Sequence, residues 1–127
     1  MIKKIRSLNP GVLAILLFLT FFFLPDTSHG HAYPDHADPK VGSTISLAPK
    51  GVRIWFDSDL EPMFSTITVQ DASGKRIDMG DGRVDPADPM LLEVSLPPLP
   101  SGIYQVFWNV VARDTHRTTG NFTFTIK

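Results

Sequence analysis

The sequence predicts an all-β domain, two antiparallel sheets packed face to face, behind a segment that directs export. Three observations carry this expectation. From residue 31 onward, short runs of alternating apolar and polar residues recur about every ten positions. Turns rich in Pro and Gly close the runs, and no stretch shows the period of an amphipathic helix. Short strands at that spacing bury their apolar faces by stacking one sheet on another.

The elements follow in chain order. Lys3, Lys4 and Arg6 make a positive start, and residues 11–24, GVLAILLFLTFFFL, form an apolar run whose sole polar member is Thr20. Pro25 and Asp26 end the run, and Ser28-His29-Gly30 puts small residues at a cleavage site. The run is shorter than the roughly 20 residues that span a bilayer as a helix, so it reads as a signal peptide and not an anchor. Residues 1–30 are then the signal and residues 31–127 the folded domain, and cleavage after Gly30 makes His31 the first residue.

Residues 31–43, rich in Pro, Asp and Gly, are not helical. Val52, Ile54 and Phe56 alternate with Arg53 and Trp55 after the turn Pro49-Lys50-Gly51. Ile67 and Val69 alternate with Thr66, Thr68 and Gln70, and Asp71-Ala72-Ser73-Gly74 turns the chain. Residues 78–89, DMGDGRVDPADP, are expected to form a long surface loop and no element. Leu92, Val94 and Leu96 alternate with Glu93 and Ser95, and the Pro-rich stretch 97–102 breaks the pattern. Tyr104, Val106, Trp108 and Val110 share a face opposite Gln105, Phe107 and Asn109. Phe122, Phe124 and Ile126 alternate with Asn121, Thr123 and Thr125, a β-branched and aromatic run that suits a half-buried pleated surface.

Composition narrows the function classes. Nine basic and 12 acidic side chains lie beyond residue 30, with no basic cluster, so nucleic acid is not an expected partner. The chain has no cysteine, which removes a thiol nucleophile, a disulfide partner and any thiolate metal site. Metal chemistry would have to use nitrogen, oxygen or thioether ligands. A monomer is expected.

Three histidines lie beyond the cut: His31, His36 and His116. A terminal His31 carries a free α-amine beside its imidazole, and the two can close a chelate ring on one metal ion. Asp114-Thr115-His116 lies between the last two strong strands. If that link is extended, residues two apart point the same way, and a carboxylate and an imidazole converge. With His31 the set becomes three nitrogens and one oxygen, which in tetragonal placement suits Cu(II); Zn(II) accepts the same donors tetrahedrally. The plainer reading of the pair is a solvated Asp114 that orients His116. His36 reads as a surface residue, and Trp55, Trp108 and Tyr104 as core or sheet-face residues.

Several stretches together resemble the small periplasmic copper-binding proteins of the CopC/PcoC copper-resistance family. They are His31-Ala32 with Pro39 and Gly42 downstream; Val52-Arg53-Ile54-Trp55-Phe56 followed by Glu61-Pro62-Met63-Phe64-Ser65; and Pro98-Leu99-Pro100-Ser101-Gly102-Ile103-Tyr104. Most specific is Trp108-Asn109-Val110-Val111-Ala112-Arg113-Asp114-Thr115-His116, closing with Gly120-Asn121-Phe122-Thr123-Phe124. The resemblance covers residues 31–127 in order.

That resemblance implies a small Greek-key β-sandwich, immunoglobulin-like or cupredoxin-like, of about seven strands. It implies one Cu(II) per chain, bound by the amine and imidazole of His31 and the imidazole of His116, with the Asp114 carboxylate near or in the coordination sphere. The implied role is a periplasmic Cu(II) protein that buffers or carries copper for resistance, homeostasis or uptake, and not an enzyme. The implied partner is an inner-membrane copper transporter or another periplasmic copper protein.

Three departures qualify the pattern. Met63, Met79 and Met90 are widely spaced, without the methionine cluster that lets some members bind Cu(I), so a Cu(II)-only protein is expected. Arg117 stands where the family usually has Pro, which brings a positive charge toward the site. Tyr33 stands where several relatives have a third early histidine. Two alternatives are a copper oxygenase with an N-terminal histidine chelate and a metal-free immunoglobulin-like envelope module.

Overall fold

In the computed structural model, which describes residues 31–127, the alternating runs become two four-stranded sheets. The expected signal peptide lies outside the described residues. The strands are β1 (Pro34–Asp38), β2 (Thr44–Ile45), β3 (Gly51–Phe56), β4 (Thr66–Gln70), β5 (Arg83–Asp85), β6 (Asp88–Ser95), β7 (Gly102–Val111) and β8 (Arg117–Ile126). One sheet has the order β1-β3-β6-β5 and the other β2-β8-β7-β4. Every pairing is antiparallel except the short β2 on β8. Only β5–β6 and β7–β8 are hairpins between sequential neighbours, and the other connections cross between the sheets.

The apolar members of each alternation meet between the sheets. Val52, Ile54 and Phe56 of β3 and Leu92 and Val94 of β6 are buried on one side. Ile67, Val69, Val106, Val110, Phe122 and Phe124 face them from the other. Tyr104 is buried as expected, stacked on Phe124 with its hydroxyl donating to the Pro100 carbonyl at 2.6 Å. Trp108 packs edge-on against Phe56 and lies over its cross-strand partner Gly120, where a Cβ would collide with the indole. That close approach is why a glycine interrupts the strongest β run of the chain.

The structure has eight strands against about seven expected, and corrects the loop expected at residues 78–89. Within that segment Arg83–Asp85 form β5 and Asp88 opens β6. The remaining aspartates are backbone acceptors. Asp78 takes the N–H groups of Val69 at 2.8 Å and Gly80 at 2.9 Å, and Asp81 takes that of Ser95 at 2.8 Å. A three-residue strand held partly by carboxylates leaves no alternation to read. β1 is hidden likewise, an edge strand that opens on Pro34 and buries only Ala37.

Candidate metal centre

β7 and β8 pair through Val111 and Arg117, and a tight loop joins them. The Ala112 N–H donates to the His116 carbonyl at 3.0 Å, and the Thr115 N–H to the Ala112 carbonyl at 2.9 Å. This is a three-residue hairpin loop with its last residue left-handed: Thr115 has φ +77°. For a β-branched residue that conformation costs on the order of 1–3 kcal/mol. Asp114 and His116 therefore meet for a different reason than an extended link would supply. The turn folds the carboxylate back, so that Oδ1 accepts the His116 N–H at 3.1 Å and Oδ2 lies 2.8 Å from His116 Nδ1.

The electrostatics favour one tautomer. Partial desolvation pulls the Asp114 carboxyl upward, but the His116 ring and N–H bonds, with the charges of His116 and His31, hold it below the usual carboxylate range. An ionised Asp114 accepts from Nδ1–H, which leaves the Nε2 lone pair of His116 for a metal.

His31 joins this turn from the other end of the chain. Its ring lies 4.7 Å from the His116 ring, centroid to centroid, with the planes 35° apart. The Tyr33 ring also stacks on His31, at 6.0 Å. The next residue, Ala32, is fully buried in the core. Among the described residues, no three His, Cys, Asp or Glu side chains gather around one point. The two imidazoles converge, the carboxylate is engaged by His116, and a third nitrogen for a metal here would have to come from the His31 backbone. A free α-amine fits that need, whereas an amide nitrogen in an unbroken chain is a poor donor.

The other residues singled out in the sequence lie apart from this pair. His36 stacks on Trp55 at 4.5 Å, nearly parallel, and its Nδ1 pairs with Asp35 Oδ2 at 2.7 Å, a surface cluster on the edge of the first sheet. Met63, Met79 and Met90 are exposed on three separate segments. The Arg117 guanidinium donates to Asn109 on the neighbouring strand, so its charge is engaged along the sheet. Among the described residues a concavity of about 950 Å³ lies around the start of β3 and the end of β6, far along the strands from Tyr33 and Asp57. The histidine pair sits on open surface.

Asp57 and Thr118 have no counterpart in the sequence reading. Asp57 bonds Tyr33, and Thr118 bonds Ala32 across 86 positions of chain. No local pattern marks either one.

A family model described as CopC domain matches residues 35–127. The chain is 34% identical to copper transport protein CutJ of Bacillus subtilis (strain 168), over 88% of this chain and 21% of that protein. It thus spans about a fifth of the length of that relative. Among solved structures, CopC from Methylosinus trichosporium OB3b superposes with a TM-score of 0.68 at 28% identity, covering 76% of this chain and 94% of that one. PcoC from Escherichia coli, described as a methionine-rich copper resistance protein, superposes at 0.65 with 32% identity, covering 76% and 99%.

Proposed function

Because the chain belongs to the CopC family, we propose that it is an exported copper-binding protein that holds one Cu(II) between His31 and His116 and buffers or carries it. Residues 1–30 act as a signal peptide cleaved after Gly30, and residues 31–127 work in the periplasm. Cleavage supplies the third nitrogen, because it frees the α-amine of His31. An amine of ordinary pKa, about 7.7–8.0, loses its proton readily when a strongly bound cation competes for the lone pair.

The observation that carries this reading is the facing pair of imidazoles at 4.7 Å, with Asp114 on the Nδ1 side of His116. Two imidazoles and an amine suit Cu(II), and the scattered exposed methionines offer no thioether cluster for Cu(I). Asp114 stands beside the coordination sphere and acts through the His116 ring.

The recipient or donor is a membrane copper transporter or another periplasmic copper protein. The match to one fifth of a protein named for copper transport supports a partner that moves copper. Met63 and Phe64, 87% and 56% exposed beside the β7–β8 loop, offer such a partner an apolar contact near the metal.

The test is a Cu(II) titration followed by electron paramagnetic resonance on protein whose N-terminus is confirmed as His31. One equivalent should give a single tetragonal, nitrogen-rich spectrum, and chain retaining Gly30 should lose it. Equal binding by both forms would overturn the proposal.

A further inference from the structure

We infer that Thr118 and Asp57 are positioning residues, which clamp the two residues after His31 so that its nitrogens are held over His116. The inference rests on the copper-binding reading and adds to it how a chain end becomes a ligand of defined geometry.

The Thr118 hydroxyl donates to the Ala32 carbonyl at 2.7 Å. The Tyr33 N–H donates to Asp57 Oδ1 at 2.8 Å, and the Asp57 N–H returns a bond to the Tyr33 carbonyl at 3.0 Å. Between these contacts the Ala32 methyl is fully buried. Three hydrogen bonds and one buried side chain thus hold two consecutive residues just before β1 begins at Pro34.

The clamp draws on both sheets. Asp57 follows the last residue of β3 in one sheet, and Thr118 is the second residue of β8 in the other. Residues 32 and 33 therefore bridge the open end of the sandwich. Thr118 is also two residues beyond His116, so one strand head places both imidazoles: His116 directly, and His31 through Ala32.

Chain ends ordinarily fray unless tied down. With Ala32 and Tyr33 held, only the torsions flanking the 31–32 peptide and the His31 side chain remain to place amine and ring. Chelation then orders little additional chain, and donors fixed in advance bind more tightly than mobile ones. Neither residue is assigned as a metal ligand in this scheme: the Thr118 hydroxyl is bonded to the Ala32 carbonyl and Asp57 Oδ1 to the Tyr33 N–H.

The experiment compares Thr118→Val, Thr118→Ser and Asp57→Ala with the parent, each beginning at His31. Cu(II) affinity is read against a competing chelator and geometry by electron paramagnetic resonance. Thr118→Val keeps the shape and loses the donor; its affinity should fall on the order of tenfold and its spectrum should split into more than one species. Thr118→Ser should restore both, and Asp57→Ala should shift them as Thr118→Val does. A Val variant with parental affinity and spectrum overturns the clamp. Amide hydrogen exchange on the metal-free proteins separates this from the copper reading. If the parent binds no copper, the proposed function fails, and the clamp is then decided by whether Thr118→Val speeds exchange at Ala32 and Tyr33 or leaves it unchanged.

Discussion

Two tight loops, one after β4 beside the start of β7 and one joining β7 to β8, share one backbone design and differ in what their carboxylates do. In one, the Asp71 N–H donates to the Lys75 carbonyl at 2.9 Å and the Gly74 N–H to the Asp71 carbonyl at 3.0 Å. In the other, Ala112, Thr115 and His116 repeat that pattern at 3.0 and 2.9 Å. The fourth residue is left-handed in both, Gly74 at φ +83° and Thr115 at φ +77°. Asp71 opens its loop and turns its carboxylate inward, where Oδ1 accepts the Ser73 N–H, the Ser73 hydroxyl and the Lys75 N–H. Asp114 sits at the third position and gives one oxygen to the His116 N–H and the other to the ring.

Backbone geometry therefore does not make a site. One carboxylate is consumed by its own turn, and the other reaches a titratable ring that a second chain segment approaches. The second loop also puts a β-branched residue where the first puts glycine, and strained residues of that kind persist where surrounding contacts hold them.

Exchanging features between the loops tests this contrast. The largest effect is expected at the fifth position. His116→Ala should weaken Cu(II) binding more than about a hundredfold, whereas Lys75→Ala should leave it unchanged, as a chelator competition would measure. Next comes the carboxylate. Asp114→Asn weakens the bond that sets the ring tautomer and should cost about ten- to a hundredfold in affinity. Asp71→Asn should lower the thermal midpoint and leave copper affinity alone, and a copper defect in Asp71→Asn would break the distinction.

Smaller effects lie at the left-handed position. Thr115→Gly should stabilise the metal-free fold by about 1 kcal/mol, and Gly74→Thr should destabilise it by about 1–2 kcal/mol, measured by urea unfolding. Equal signs at the two sites would show that Thr115 is not strained.

The smallest is an acid effect. The Ser73 hydroxyl, then the Lys75 N–H, hold the Asp71 carboxyl below its ordinary range. The unfolded chain takes up that proton near pH 3.9 and the folded chain only at lower pH. The stabilisation is therefore complete above about pH 5 and declines as pH falls toward the folded value. Asp71→Asn should flatten that acid limb in urea melts taken from pH 6 downward.

The core strands were legible because strand alternation is local. Val52-Ile54-Phe56, Leu92-Val94 and Phe122-Phe124 name their buried faces in the chain itself. Asp114 and His116 were legible as a pair because they are two positions apart, although an extended link was the wrong reason for their meeting. β2 and β5 escaped, since two or three residues carry no period, and β5 also lies in a stretch whose aspartates resemble loop composition while acting as backbone acceptors.

Residue type and spacing thus establish an all-β chain without thiols whose nitrogen donors suit a metal. That Asp114 turns to Nδ1 emerges from the conformation of the turn; that His31 lies against His116 and that Thr118 and Asp57 hold Ala32 and Tyr33 emerge only when the sheets close. The contacts of His31 with His116 and of Ala32 with Thr118 join distant parts of the chain, the latter across 86 positions. Such contacts leave no trace in local alternation, because hydrogen-bond partners across a sandwich are chosen by the stacking of the sheets and not by neighbours in sequence.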